Sequence, residues 1–172
     1  MKEIPLTKGY VALVDDQDFE RVNQYKWHAS EDRRPDVSVR TVYAKRGVKR
    51  DDGTWTTLYL HSFIMDAPEG LDVDHRDSNG LNNQRYNIRV ATRSQNMGNR
   101  RKQASSSQFK GITWYKRDGK WQVQIRINGN QKHLGYFDSE TDAALAYDAA
   151  ARNHFGEFAL TNFPQQDLAV AV

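Results

Sequence analysis

The hydrophobic residues of the first 60 positions fall in short runs. These runs are rich in β-branched and aromatic residues, and Asp, Pro and Gly residues separate them, which is typical of strands joined by turns. The four predicted strands cover residues 10–14, 25–29, 39–44 and 54–60. We therefore expect a β-rich N-terminal region, with Trp27 and Tyr43 in its core.

The next pattern predicts a strand, a loop and a second strand. An apolar run ends at Asp74 and His75, and residues 76–83 after it are rich in the turn-forming residues Asn, Asp, Ser and Gly. A second short strand is predicted at residues 86–90. A carboxylate and an imidazole are thus expected side by side where the first strand meets the loop.

A short helix is predicted directly after the second strand. Thr92 and Gln95 have the spacing of a capping box, in which a hydroxyl and a side chain three residues later satisfy backbone donors at the start of a helix. Asn96 then falls in the first turns of this helix. From there it is expected to face back toward Asp74 and His75.

Asp74, His75 and Asn96 are the residue types that phosphodiester hydrolysis requires. A water molecule must lose a proton as it attacks, and a hard cation must neutralise the charge that builds on the phosphate and the leaving oxygen. Imidazole suits the first task because its pKa lies near neutrality. Asp and Asn oxygens suit Mg²⁺, which prefers oxygen ligands and keeps several waters. Adjacent residues in the middle of a strand point to opposite faces, so the Asp-His pair requires a strand end or a turn.

This segment resembles the HNH nuclease family, in particular the branch found in phage and intron homing endonucleases. The resemblance covers residues 58–101 and rests on Leu60-His61, Asp74-His75, Asn87-Ile88-Arg89 and Asn96. It implies a ββα-metal fold in which His75 is the general base, Asp74 and Asn96 are metal ligands, and Asn87 braces the loop and orients the histidine. The implied cofactor is Mg²⁺, with Mn²⁺ as an alternative.

His61 completes the expected catalytic set, although three roles are open for it. It could be a core histidine below the first strand, a phosphate donor or an auxiliary catalytic group, and we favour a supporting role. Asn96 stands where many relatives of this family have a histidine. This departure resembles the homing branch and leaves the choice of metal open.

Composition and charge agree with a small DNA-handling protein. The chain has 172 residues, a net charge of +3 and no cysteine, which excludes disulfides and a thiolate zinc ribbon. It has no apolar run of membrane-spanning length and no apolar N-terminal signal segment, so a cytoplasmic protein is expected. We also expect a monomer, since no protein partner is evident from the sequence. Residues 1–75 carry 11 Lys and Arg against 14 Asp and Glu, whereas residues 76–102 carry 7 against 1. A basic stretch beside the expected active site favours a polyanionic substrate, and Arg85, Arg89 and Arg93 are candidate phosphate contacts.

A polar segment at residues 103–108 is predicted to be a flexible linker, and a different pattern follows it. Three strands are predicted at residues 111–115, 120–127 and 131–137, with Gly-containing turns between them. Alternation in the middle strand predicts one buried face and one face of amides and a guanidinium. A helix is predicted from a capping box at Ser139 to a stop at Gly156.

This C-terminal segment resembles the AP2 DNA-binding domain across residues 109–164. The match includes Leu134-Gly135-Tyr136-Phe137, the helix sequence from Ala143 to Asp148, and Asn162-Phe163-Pro164. The resemblance implies that a three-stranded sheet enters the major groove, which presents a distinct pattern for each base pair. It places Lys110, Gln124, Arg126, Gln131 and Tyr147 on DNA-contacting positions, and Lys116, Arg117 and Lys132 are further candidates. Thr113 and His133 replace the arginine and tryptophan that plant members usually carry, so the target sequence is not implied.

The sequence predicts an α+β protein with three parts. A β-rich region and the ββα-metal (HNH) core at about 58–101 form a domain of residues 1–102, the linker covers 103–108, the AP2-like sheet packed on one helix covers 109–164, and a tail covers 165–172. The predicted function is metal-dependent cleavage of double-stranded DNA at a recognised site, and the resemblance to homing endonucleases implies a role in a mobile element or phage.

Three alternatives to this function stay open. The chain could be a DNA-binding regulator without catalysis or an RNA-processing nuclease. Its second domain could be a small α+β module that binds protein. RNA is less favoured because sheets that read RNA usually expose stacking aromatics, and only Trp114 and Tyr115 are available here.

Overall fold

The computed structural model describes residues 1–33, 38–100 and 105–163 and forms two compact units, Met1–Thr92 and Arg93–Val172. The predicted α+β class is confirmed, since small antiparallel sheets alternate with a few helices. No helix in the described ranges is long and apolar enough to cross a membrane.

Two antiparallel sheets begin the first unit. The first sheet pairs two strands, and the second has three strands in the order β3-β4-β5. The elements are β1 (Lys2–Pro5), β2 (Val11–Val14), α1 (Asp16–Asn23), β3 (His28–Arg33), β4 (Val39–Lys49), β5 (Trp55–Tyr59) and α2 (Leu60–Met65). A short 3-10 helix at Thr7–Gly9 lies between the first two strands.

The first unit ends with a two-stranded ribbon, β6 (Asp72–His75) and β7 (Ile88–Ala91). Its core joins side chains of this ribbon to those of both N-terminal sheets and α2, and Leu60 and Ile64 of α2 are fully buried. Complete burial of side chains of this size contributes about 1.5–3 kcal/mol each. Six residues are too few to form a stable helix on their own. Helix α2 is therefore stabilised by burial of its apolar face in this core.

The second unit contains α3 (Arg93–Gly98), β8 (Ile112–Tyr115), β9 (Lys120–Ile127), β10 (Asn130–Phe137) and α4 (Glu140–Phe155). The sheet order is β10-β9-β8, and every pair is antiparallel. Helix α4 begins as predicted, because the Ser139 side chain accepts a hydrogen bond from the Asp142 backbone N–H. It ends at Gly156, where φ is 55°. Small buried residues on α4, Ala143, Ala144 and Ala151, allow it to lie close to the sheet.

Two helices were not predicted in the N-terminal region, which is therefore less purely β than expected. Helix α1 has Asp16 and Asp18 in its first turn, where acidic side chains suit the positive end of the helix dipole, and it buries Val22. Helix α2 starts at Leu60, so His61 lies in a helix, whereas the predicted strand ran through residue 60. The strand predicted at 25–29 begins only at His28. Trp27 lies before it in the core, as expected, and donates from Nε1 to the Val22 carbonyl at 3.0 Å.

The boundary between the two compact units lies earlier in the chain than the predicted linker. The division between the compact units falls between Thr92 and Arg93, ten residues before the predicted boundary at 102, because α3 packs against α4. Residues 103 and 104 and the tail at 165–172 lie outside the described residues. In the described part of the linker, Ser107 is only 3% exposed. Its hydroxyl donates to the Glu140 carboxylate at 2.7 Å, which attaches this segment to the second unit.

Candidate active site

The β6–β7 ribbon carries Asp74 on one face. Asp74 lies opposite Arg89 in the strand register, and its Oδ2 atom accepts hydrogen bonds from Arg89 Nε at 3.0 Å and Nη2 at 2.8 Å. Both side chains are buried, with 4% of Asp74 and 8% of Arg89 exposed. The paired guanidinium compensates the charge of a carboxylate that has lost most of its water. Arg89, predicted as a phosphate contact, is thus a partner of the predicted metal ligand.

His75, the last residue of β6, packs its ring among aromatic rings. Its centroid lies 4.9 Å from that of His61 and 5.9 Å from that of Tyr43. Burial lowers the pKa of His75 below its usual value, although a contact with Asn83 and the nearby carboxylates of Asp77 and Asp74 oppose this effect. The imidazole is therefore neutral at neutral pH, which is the form that can accept a proton.

The predicted brace of the loop, Asn87, holds the loop between the two strands. Its Oδ1 accepts from the Asp77 backbone N–H at 3.1 Å, and its Nδ2 donates to Asp77 Oδ1 at 2.9 Å and to the Asn82 carbonyl at 2.8 Å. The histidine contact is made by a different amide, since Asn83 Oδ1 lies 3.4 Å from His75 Nε2. An acceptor at this position favours a proton on Nε2 and leaves Nδ1 as the proton acceptor of the ring.

His61 lies deeper than His75 and is 8% exposed. Its ring stacks on Tyr59 with centroids 5.3 Å apart and planes inclined by 13°. Burial first, and the neighbouring His75 second, lower the pKa of His61 to about 3. Within the described part of the chain, its Nδ1 atom is buried and has no hydrogen-bond partner. His61 is therefore a neutral neighbour of His75.

A glycine brings Tyr43 against the loop. A Cβ atom on Gly80 would lie 2.5 Å from the Tyr43 ring and 2.5 Å from the Val42 carbonyl oxygen, closer than any real contact. The absence of a side chain at Gly80 thus allows β4 to place its tyrosine beside His61 and His75.

The predicted metal ligands offer one carboxylate and one amide oxygen. Asp74 lies in the first unit, and Asn96 lies half-buried in α3 of the second unit. No group of three or more His, Cys, Asp and Glu side chains in the described ranges forms a metal cage of its own. Oxygen donors of either kind suit a hard cation such as Mg²⁺, which keeps much of its hydration shell and binds phosphate oxygens as well. Zinc is usually bound by nitrogen and sulfur instead.

The residues predicted to contact DNA from the second unit are divided between the surface and the interior. Arg126 lies opposite Gln131 in the sheet register, and Gln131 Nε2 donates to Gln124 Oε1. These three side chains share the face that points away from α4. Lys132 lies opposite the buried Ile125, hence on the other face of the sheet.

The turn after β8 adds exposed charge, whereas Lys110 and Tyr147 are engaged inside the unit. Lys116 and Arg117 are exposed, and Arg117 lies over the Tyr115 ring at 5.3 Å. The Lys110 ammonium donates to the carbonyls of Gly98 at 2.6 Å and Leu160 at 3.3 Å, and burial lowers its pKa to about 8. Tyr147 is 4% exposed, and burial raises the pKa of its hydroxyl.

The remaining arginines near the site differ in their surroundings. Arg85 forms a two-bond ion pair with the buried Asp18 of α1, at 2.7 and 2.8 Å, and its Nη2 also donates to the Ile64 carbonyl at 3.2 Å. It therefore joins the loop to both helices of the first unit. Arg93 is exposed at the first residue of α3.

Sequence reasoning missed two side chains of this site. Asn83 was expected only as one of several turn residues, and Tyr43 only as a core residue. Neither carries a distinguishing local signal. Their positions beside His75 follow from pairing of the loop with β2, in which the Asn83 backbone N–H donates to the Leu13 carbonyl at 2.8 Å, and from the close approach at Gly80.

Comparisons with known proteins identify relatives of both parts of the chain. The family model described as HNH endonuclease matches residues 66–98. An HNH endonuclease of Acanthamoeba polyphaga mimivirus is 30% identical over 161 residues, which cover 90% of this chain and 76% of that protein.

Plant proteins match a shorter part of the chain. APETALA2-like protein 2 of Oryza sativa subsp. indica is 45% identical over 62 residues, or 36% of this chain and 14% of that protein. An AP2-like ethylene-responsive transcription factor of Arabidopsis thaliana is 45% identical over 60 residues, or 35% of this chain and 12% of that protein. No solved structure matches the chain.

Proposed function

We propose that this chain, which belongs to the HNH endonuclease family, is a metal-dependent enzyme of homing type that cuts double-stranded DNA at a site recognised by its second unit. The observation that carries this proposal is the environment of His75. Its imidazole is kept neutral by burial at the end of a strand, next in sequence to a buried carboxylate. A neutral imidazole at this place is suited to take a proton from water as the water attacks a phosphate.

Each residue of the first unit then has a defined task. His75 accepts the proton at Nδ1, because the contact with Asn83 favours a proton on Nε2. Asn87 keeps the loop in the conformation that holds Asn83 in place, through its bonds to Asp77 and Asn82. His61 and Tyr43 exclude water from the inner side of the imidazole.

Asp74 and Asn96 are the proposed ligands of Mg²⁺, with Mn²⁺ as the alternative. When bound, the cation would supply positive charge to the phosphate and the leaving oxygen. Arg89 orients the Asp74 carboxylate, because its Nε and Nη2 groups both bind Oδ2.

Recognition is proposed to reside on the open face of the β8–β10 sheet. Gln124, Arg126 and Gln131 point from this face, and their amides and guanidinium match the hydrogen-bonding edges of bases in the major groove. The exposed Lys116 and Arg117 in the adjacent turn are proposed to contact phosphates. Residues 109–134 carry 6 Lys and Arg against 1 acid, while residues 138–148 carry 4 acids and no base, so the sheet and not α4 should face DNA.

The test of this function is cleavage by the His75→Ala variant. We expect the variant to bind duplex DNA as the wild type does and to lose cleavage by at least about a hundred-fold, since positioned general bases contribute roughly 10²–10⁴-fold. Labelled double-stranded DNA, single-stranded DNA and RNA are compared with Mg²⁺ and with EDTA. His28→Ala, which replaces an exposed histidine at the start of β3, is the matched control and should cut normally.

The same assay separates the alternatives. Metal-independent retention of DNA without cutting would identify a non-catalytic regulator, and preferential cutting of RNA would identify an RNA-processing nuclease. Cleavage of DNA by His75→Ala at the wild-type rate would refute the assignment of the base. His75→Gln is tested alongside, in case truncation of a buried ring disturbs folding.

A further inference from the structure

Helix α3 carries the proposed metal ligand Asn96 but is too short to hold its own position. It has six residues, and isolated helices of fewer than about 12–15 residues are marginal in water. Its geometry must therefore be set by the groups that bind its two ends. In the second unit, both ends are held by parts of the AP2-like module.

The C-terminal end of α3 is bound by three elements of that module. The Gly98 carbonyl accepts hydrogen bonds from the Lys110 ammonium at 2.6 Å and from the Leu160 backbone N–H at 3.3 Å. The Gly98 backbone also lies on the ring of Phe155, at the end of α4, where a Cβ on the glycine would be 2.6 Å from the ring. Lys110 in turn lies over the Tyr147 ring at 5.7 Å.

The N-terminal part of α3 is bound by the turn between β9 and β10. The Ser94 hydroxyl accepts a hydrogen bond from the Asn128 backbone N–H at 3.2 Å. Asn128 and Gly129 have φ values of 50° and 83°, as a tight two-residue hairpin turn requires. Arg126 and Gln131, the second pair of strand residues from this turn, belong to the proposed reading face.

We infer that the DNA-reading hairpin positions the metal-binding helix: Ser94, Lys110 and Gly98 tie α3 to the AP2-like module, so that DNA bound on the open sheet face fixes the orientation of Asn96. This inference rests on the proposed function. In this arrangement the second unit contributes to catalysis by positioning Asn96, in addition to binding DNA. Ser94, Lys110 and Gly98 are positioning residues, because they act through Asn96.

Reciprocity follows from this arrangement. If DNA on the sheet restricts α3 and thereby favours metal binding, then metal binding must strengthen DNA binding by the same factor. A DNA that engages the cutting residues but not the hairpin would be cut slowly even at saturation. A recognised DNA sequence would then raise the apparent affinity for the metal, and it would also bind more tightly than other sequences.

The test uses the full chain and the variants Ser94→Ala and Ser94→Thr, with Ser106→Ala as the matched control. Ser106 also accepts a backbone N–H, that of Trp114 at 2.7 Å, in the same unit but not on α3. The first readout is hydrogen exchange of residues 93–99 in EDTA, with and without a duplex selected from a random pool by the metal-free protein. The second is Mn²⁺ affinity in the presence of that duplex, measured by electron paramagnetic resonance.

We expect Ser94→Ala to speed exchange of α3 in the DNA complex and to weaken Mn²⁺ binding, each by about five-fold, the effect of one net hydrogen bond. Ser94→Thr keeps the hydroxyl and should restore both values, and Ser106→Ala should change neither. Alanine is a better helix former than serine, so the substitution by itself would stabilise α3 and slow its hydrogen exchange. Faster exchange in Ser94→Ala would therefore result from the lost hydrogen bond to Asn128.

Four outcomes decide the matter. Unchanged or slower exchange of α3 in Ser94→Ala would overturn the coupling, as would a duplex that leaves α3 exchange in the wild type unaltered. Altered exchange with no Mn²⁺ binding by any variant would leave the attachment of α3 standing and contradict the metal assignment of the proposed function. Faster exchange of α3 together with weaker Mn²⁺ binding, in Ser94→Ala but not in Ser94→Thr or Ser106→Ala, supports the inference.

Discussion

At the scale of single residues, burial decides the chemistry of the two histidines. His75 and His61 are adjacent to aromatic rings instead of water, and the loss of water disfavours their charged forms. The sequence indicated which histidine stands beside a carboxylate, but not that a second neutral histidine lies against it. Their closeness itself requires low charge, since two imidazolium ions with ring centroids 4.9 Å apart would repel each other.

The buried His61 predicts a pH-dependent stability. In the unfolded chain a histidine has a pKa of about 6.5, whereas in the folded protein that of His61 is about 3. Between these values the unfolded state binds a proton that the folded state does not, so the free energy of unfolding decreases as the pH falls below 6.5. For one proton the decrease is about 1.4 kcal/mol per pH unit, or about 2 kcal/mol at pH 5 relative to pH 7.

His61→Phe should remove this share of the pH dependence, because phenylalanine keeps a ring against Tyr59 and cannot bind a proton. Urea unfolding at pH 7, 6 and 5, followed by resolved amide signals of β6 and β7, measures the effect. His28→Phe, at an exposed position, should retain the wild-type slope. Equal slopes for His61→Phe and the wild type would mean that His61 is protonated in the folded protein.

At the scale of elements, the sequence predicted helices and strands correctly where the hydrophobic pattern was bounded by clear turn or capping residues. The middle strand of the second unit, β9, was predicted at its observed limits, and α4 was predicted from its Ser139 cap to its Gly156 stop. Helices α1 and α2 were missed because eight and six residues give too few turns for a clear helical period. Their helical form depends on burial of residues such as Val22, Leu60 and Ile64, which is a tertiary effect.

Gly111, at the entry to β8, provides a test of packing within the second unit. Gly111 and Gly129 have φ values of 81° and 83°, so alanine meets the same backbone strain at both, about 1–2 kcal/mol. Only at Gly111 would the new Cβ collide with a neighbour, lying 2.1 Å from the Tyr147 ring, while nothing lies within 4 Å of Gly129. Gly111→Ala should therefore destabilise the unit by a further 1–3 kcal/mol or so. Chemical denaturation of the two variants gives the difference, and equal losses would show that Tyr147 can move away.

At the scale of the whole molecule, the chain joins a unit that contains the HNH endonuclease match to a second unit whose sheet is similar to plant AP2-like proteins. A site built on phosphate contacts discriminates poorly between sequences, because every nucleotide offers the same phosphate. The polar sheet face supplies the missing discrimination in our proposal. The net charge of only +3 conceals an uneven distribution, since basic residues outnumber acidic ones at 76–102 and 109–134 but not at 1–75.

Arg126 should separate reading from cutting. Arg126→Ala is expected to weaken specific binding by about 1–3 kcal/mol and to relax the sequence preference, because a guanidinium makes paired hydrogen bonds to one base. Arg126→Lys keeps the charge but loses the planar fork, so it should retain non-specific affinity and still relax the preference. Binding to a randomised pool at fixed salt, followed by sequencing, measures both effects. An unchanged preference in both variants would remove Arg126 from the reading face.

The sequence by itself determined the class of the protein, the strand-loop-strand order around Asp74 and His75, and nearly all of the second unit, because periodicity, turn residues and caps act over a few positions. Only the tertiary structure decided that Asn83 contacts His75, that Arg89 binds Asp74, and that the short helix bearing Asn96 is held by Lys110 and Phe155. These contacts join residues that burial brings together across separate elements, and local pattern contains no information about such partners.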